Sequence, residues 1–233
     1  MPTSSRSSPM PATPAAAPTA SVAGKARFWD RIARKYAADP IADPAGYEAT
    51  LKRVRSLLST EYDVLEIGCG TGTTALRLAP FTRRLRATDV SAEMIAISRE
   101  KLAVAPMPQL SFELADADRP IVAPGAQDVV LAFSLLHLVE DLDYTLALIV
   151  NALRPGGLLL AKTPCVSEMN PLVSHVALPL MRALGRAPDV LCFKAPELQA
   201  AMVRQGLEML SVERHGTRKG KDIRVFTVAR KPS

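Results

Sequence analysis

Apolar residues change their spacing along this chain, and each change predicts a change of element. In "FWDRIARKYAADP", Phe28 or Trp29 with Ile32 and Tyr36 recur at helical spacing until Pro40 ends the pattern. In "GYEATLKRVRSLLS", Tyr47, Leu51, Val54 and Leu58 fall at i, i+4, i+7 and i+11, which predicts a second helix with one apolar face. Short apolar runs follow at 64–67, 85–88, 110–114, 128–133 and 158–162, each the length of a strand. Between them the spacing is helical over 73–78, 91–102 and 141–153. Ser91 can cap the second of these, with Glu93 at its positive end, and the third sets Leu142, Leu146, Ile149 and Leu153 on one side. Strand alternating with helix predicts an α/β domain: a doubly wound parallel sheet, helices on both faces, right-handed crossovers.

The alternation stops at both ends. Residues 1–27 are almost wholly Ser, Pro, Ala and Thr, which bury too little surface to offset their ordering entropy; a disordered tail is expected, with a transit peptide as the alternative. Residues 163–195 contain four prolines and an apolar stretch without a strand signal, which predicts an insertion, or lid, over the sheet's carboxyl edge. A last helix at 196–205 leads to two β-rich segments, "LEMLSVERHG" and "DIRVFTVARK", whose connector contains Gly220 and suits an antiparallel hairpin. The domain is therefore expected over 28–233, with its first helices in 28–60.

Charge changes the picture little. The net charge is +6, yet residues 36–213 carry 16 Lys/Arg against 21 acids, so the basic excess sits at the two ends. A nucleic-acid enzyme would place that excess on its folded face, so such a partner is disfavoured, while peripheral contact of the basic ends with a membrane surface remains open. The longest apolar run, "VVLAFSLLHLV", is well short of the roughly 18 residues that span a bilayer. Three cysteines, Cys69, Cys165 and Cys192, show no C-x-x-C pair and no metal-ligand spacing. They read as reduced thiols of a cytoplasmic protein, or of the mitochondrial matrix if residues 1–27 are a transit peptide.

Candidate chemistry begins at "VLEIGCGTGTTALRLAP". Gly68, Gly70 and Gly72 stand where a strand ends and a helix begins, so backbone N–H groups and a helix dipole converge on whatever binds there. Open parallel sheets bind ligands in that crevice. The glycines run 0, 2, 4 and not the 0, 2, 5 of a dinucleotide fingerprint, and no Gly-Lys-Ser/Thr follows, which excludes a P-loop. Asp89 ends the second strand, where a carboxylate can accept from both ribose hydroxyls. Asp116 follows the third, within reach of a base's amino group.

Taken in order, "VLEIGCGTG", "ATDVSAEMI", "ADADRP", "DVVLAFSLLHLV" and "LRPGGLLLAKT" resemble the successive motifs of class I S-adenosylmethionine-dependent methyltransferases, in the small-molecule group akin to the ubiquinone and menaquinone enzymes. That resemblance implies a Rossmann-like, seven-stranded sheet ending in an antiparallel hairpin, S-adenosyl-L-methionine as cofactor and a small-molecule acceptor. It implies that Gly68, Gly70 and Gly72 approach the cofactor's methionine part while Glu66 orders the loop. Asp89 would hold the ribose, Met94 pack on the adenine, and Asp116 with Ala117 hold the adenine edge. Cys69, Val90 and Phe133 flank these positions as further cofactor contacts, and Tyr36 corresponds to an aromatic that closes over the cofactor in several relatives.

A sulfonium methyl is already activated, so a base is needed only where the nucleophile has a proton to lose. His137, just past the fourth strand, is the candidate; His175 and Glu168 are further pocket candidates, and His215 reads as surface. The segment "FSLL" stands where base-amino methyltransferases carry Asn/Asp-Pro-Pro-aromatic, which disfavours that acceptor class. The apolar insertion suggests an apolar acceptor methylated on oxygen or carbon. Two alternatives remain: a non-catalytic domain that binds the cofactor or a partner, and an NAD(P)-dependent oxidoreductase, disfavoured by glycine spacing and the lack of a Tyr-x-x-x-Lys pair.

Overall fold

The computed structural model describes residues 20–165, 167, 189–216 and 224–233. The greater part of the expected lid, with His175 and Glu168, and the hairpin connector lie outside the described residues.

Helices α1 (Ala20–Ala38) and α2 (Pro44–Arg55) precede the sheet. Then come β1 (Asp63–Ile67), α3 (Thr73–Leu78), β2 (Arg84–Asp89), α4 (Ala92–Val104), β3 (Leu110–Leu114), β4 (Gln127–Phe133), α5 (Leu142–Ala152) and β5 (Leu153–Pro164). Helix α6 (Ala195–Arg204), β6 (Glu208–Arg214) and β7 (Arg224–Arg230) end the described chain. The seven strands lie in the order β3-β2-β1-β4-β5-β7-β6. Pairing is parallel from β3 to β5, and β7 runs antiparallel to both β5 and β6, as the hairpin requires.

Central strands are apolar on both sides because helices cover both sheet faces. On one face Val64, Leu85, Val129, Leu131, Leu160 and Phe226 pack against Leu51 and Val54 of α2, Leu78 of α3 and Ile95 of α4. On the other, Leu65, Ile67, Val130, Leu159 and Val225 pack against Leu146 and Ile149 of α5 and Leu198 and Met202 of α6. Expected caps form: the Ser91 side chain accepts from Met94 N and that of Asp141 from Tyr144 N.

Helix α1 begins at Ala20, inside the segment expected to be a structureless tail. Residues 20–27 are mostly strong helix formers without an apolar face. Tertiary contact holds them: Lys25 Nζ lies 2.7 Å from Asp118 Oδ2 and 3.4 Å from Glu140 Oε1. Among the described residues no helix is long and apolar enough to cross a membrane.

Candidate active site

The ends of β1, β2, β4, β5 and β7, with α1 and α2, enclose a cavity of about 460 Å³. Its volume lies within the usual range for small-molecule sites. Eleven of the twelve residues expected at the cofactor line it: Tyr36, Glu66, Gly68, Cys69, Gly70, Asp89, Val90, Met94, Asp116, Ala117 and Phe133. A second cavity, about 430 Å³, opens among Asp63, Arg84, Arg86 and Gln127 at the strands' opposite ends and holds none of them.

The glycine loop divides its work. All three glycines have positive φ, and Gly70 borders the cavity with open space where a side chain would start; the nearest atom is Tyr36 Cε1 at 4.0 Å. Gly72 is not in the cavity, contrary to expectation. It is the N-cap of α3, and a Cβ there would come within 2.6 Å of the Phe112 ring and 2.7 Å of Ser98 Cβ. Its lack of a side chain lets α3 settle against β3 and α4, so its role is packing.

Asp89 is 9% exposed and ties the loops together. Its Oδ2 accepts from Gly70 N at 2.8 Å and its Oδ1 from Ser91 N at 2.9 Å. Burial raises its pKa, opposed by those bonds and one from Val90 N. Asp116 Oδ1 accepts from Asp118 N at 3.1 Å, while its Oδ2 is buried without a hydrogen bond, 3.9 Å from Arg119 Nε. Glu66 is fully buried; desolvation, then the nearby Asp89 charge, push its pKa to about 8, so at neutral pH it is chiefly a carboxylic acid. The same burial raises the Cys69 thiol, which faces Glu66 and Asp89. Met94, 2% exposed, is core and cavity wall at once, in a cluster with Ala33, Ile97 and Trp29.

His137 is not among the cavity-lining residues. Its Nδ1 is buried without a hydrogen bond, and desolvation, with the Arg224 charge second, lowers its pKa to about 4. His215, expected at the surface, is mostly covered. Its ring stacks on Phe226 with centroids 4.6 Å apart, and Nδ1 lies 3.2 Å from Thr50 Oγ1.

Several wall residues escaped the sequence reading as site residues. Lys25 and Trp29 reach in from α1, Tyr47, Thr50 and Leu51 from α2, and Ser134, Lys162 and Arg224 from the strand ends. One signal was available: Lys162 closes an otherwise apolar strand, and a charge at the carboxyl end of a buried strand is aimed at the ligand edge. Ser134 carries another mark, a φ of 53° in a residue other than glycine.

Comparison with known proteins agrees with the fold. Residues 64–157 match the family model described as "Methyltransferase domain". The chain is 31% identical over 120 residues to the reducing polyketide synthase Preu2 of Preussia isomera, covering 48% of this chain and 5% of that one. It is 34% identical over 103 residues to the trans-aconitate 2-methyltransferase of Variovorax paradoxus strain S110, covering 43% of this chain and 38% of the relative. Each match thus spans less than half of the relative's own length. Among solved structures, phosphoethanolamine N-methyltransferase 2 of Haemonchus contortus, in complex with S-adenosyl-L-methionine, superposes with a TM-score of 0.69 at 17% identity, covering 83% of this chain and 54% of that one. The [4+2]-cyclase SpnF superposes with a TM-score of 0.70 at 19% identity, covering 93% and 97%. Residues 64–157 thus match a methyltransferase-domain model, and the fold of the described chain is the seven-stranded, Rossmann-like one that these solved methyltransferase structures share.

Proposed function

We propose that this protein transfers a methyl group from S-adenosyl-L-methionine to an oxygen or carbon of a small acceptor. The observation that carries this reading is one continuous cavity wall in which Gly70, Asp89 and Asp116 follow one another across β1, β2 and β3. The residues fit the cofactor. Gly70 leaves room for a ligand to touch the main chain, and the orphaned Asp116 Oδ2 is an acceptor suited to an exocyclic amino group. When bound, the cofactor supplies an electrophilic sulfonium methyl.

The chain's own residues bind, orient and exclude water. Backbone N–H groups of Gly70, on one oxygen, and Ser91, on the other, hold the Asp89 carboxylate in place for the ribose hydroxyls. Trp29 and Tyr36 of α1 form the side of the cavity over the glycine loop, and Met94 packs beneath. The remaining strand ends at the cavity, the carboxyl ends of β4 and β5 and the amino end of β7, are left for the acceptor. His137, with a pKa near 4, is a weak base, so this reading favours a nucleophile with no proton to lose or one that sheds it to solvent.

The test is calorimetric titration with S-adenosyl-L-methionine, with NAD(H) for comparison. Micromolar binding, weakened at least tenfold in Asp89→Ala, is expected. Preference for NAD(H) would overturn the reading. Binding without turnover over a broad acceptor panel would favour a non-methylating use of the fold, such as the cyclisation for which SpnF is named.

A further inference from the structure

One face of α4 follows the glycine loop. Met94, Ser98 and Lys101 stand at i, i+4 and i+7, the spacing of a single helical stripe. Met94 borders the cavity, and Ser98 lies where a Cβ on Gly72 would come within 2.7 Å of its own Cβ. Lys101 reaches the residues on either side of that glycine. Its Nζ donates to Thr71 O at 2.9 Å, to Thr71 Oγ1 at 3.0 Å and to Thr73 Oγ1 at 3.0 Å.

An ammonium has three N–H donors, and here all of them are engaged by one carbonyl and two hydroxyls. Among the described residues none of its partners is a carboxylate, and partial burial lowers its pKa. Thr71 and Thr73 line the cavity, whereas Lys101 does not, so it acts on the cavity through the loop. The loop has one other side-chain hold, Asp89 Oδ2 on Gly70 N at 2.8 Å. Between the two holds Thr71 is 6% exposed, and its own N–H has no hydrogen bond among the described residues. Gly72, the N-cap of α3, gives that helix no side-chain cap, which leaves Lys101 as the polar tie at its first turn.

We infer that Lys101 is a positioning residue for the cofactor: it fixes the segment from Thr71 to Thr73, so that the glycine loop is already shaped for the amino-acid end of S-adenosyl-L-methionine. The inference rests on the methyltransferase reading and adds to it a residue that stands behind the cavity wall. Glycines flank Thr71 on both sides, and glycine has the most backbone freedom to lose on ordering. Lys101 removes that freedom before a ligand arrives, and a loop ordered in advance binds more tightly than one ordered by the ligand. The effect is confined to what the loop touches. Asp89 and Asp116, at the ends of β2 and β3, are held by other groups, so the nucleoside end does not depend on Lys101.

The test is calorimetry on the full chain with S-adenosylhomocysteine and with methylthioadenosine, which keeps the nucleoside and the sulfur but lacks the amino-acid end. The unaltered protein is expected to bind S-adenosylhomocysteine at least tenfold more tightly than methylthioadenosine. Lys101→Met should weaken S-adenosylhomocysteine at least tenfold while the Kd for methylthioadenosine stays within twofold, which also shows that the variant is folded. Lys101→Arg, which keeps the cation and its donors, should restore most of the lost affinity. Equal losses for the two ligands in Lys101→Met would mean that the lysine only holds the fold together, and an unchanged affinity for S-adenosylhomocysteine that the loop is shaped without it. Either result would overturn the inference, as would a Lys101→Arg protein as weak as Lys101→Met, or equal binding of the two ligands by the unaltered protein. Failure of the unaltered protein to bind either ligand would bring down the methyltransferase reading first, and the positioning role with it.

Discussion

Gly70 and Gly72 share a left-handed backbone, yet a side chain would meet different surroundings at each. Alanine at either position carries the left-handed strain of about 1–2 kcal/mol. At Gly72 the new methyl also strikes Phe112 and Ser98, and overpacking adds about 1–3 kcal/mol. Gly72→Ala should therefore lose roughly 2–5 kcal/mol in denaturant unfolding. Gly70→Ala should lose only the strain, but bind S-adenosyl-L-methionine at least tenfold more weakly, because its methyl points into open cavity. Equal stability of the two variants would show that the Gly72 contacts do not matter.

At the scale of elements, α1 is seated on α4 by polar contacts of unequal worth. Asp30 Oδ1 accepts from Ser91 Oγ at 2.6 Å and Glu93 N at 3.1 Å, so a side chain of α1 helps to cap α4. Arg34 pairs with Glu100 in the open, where water screens the charge. Asp30→Ala should cost about 1 kcal/mol and speed proteolysis within α1. It should also weaken cofactor binding, since Trp29 and Tyr36 ride on that helix. Arg34→Ala should change neither measurement.

The same scale separates what could be read in the sequence from what could not. Helices were legible because each buries one face against the sheet, central strands because they are apolar on both sides, and the three glycines with Asp89 and Asp116 because local topology sets them at strand ends. Partners distant in sequence were not. Thr50 and Lys162 meet across 112 positions, and His215 is covered because Phe226, on the next strand, lies under its ring. The start of α1 was missed for the same reason: Ala20–Arg27 has no apolar stripe, and its hold is Lys25 on Asp118.

For the whole molecule, three groups set opposing pH slopes on stability. Glu66, raised from 4.5 to about 8, is more readily protonated folded than unfolded; its contribution is full below pH 4.5 and lost as pH rises to 8. His137, lowered from 6.5 to about 4, is neutral when folded; its burial penalises folding at low pH, and that penalty fades as pH rises to 6.5. At Glu213, burial works to raise the pKa, and hydrogen bonds from Ser211, His215 and Arg53 overcome it, to about 2. Its contribution is present above pH 4.5 and lost as pH falls to 2. Between pH 4.5 and 6.5 the Glu66 loss and the His137 gain run against each other, so stability there is nearly flat. Above 6.5 only Glu66 of the three still titrates, and the ligand-free protein should lose Tm from pH 6.5 to 8. Glu66→Gln should abolish that fall and turn the flat region into a rise, whereas His137→Gln should turn it into a decline. Thermal melts of the three proteins between pH 4 and 9 decide the matter. An unaltered alkaline fall in Glu66→Gln would mean that Glu66 is not the group being forced to ionise inside the cavity.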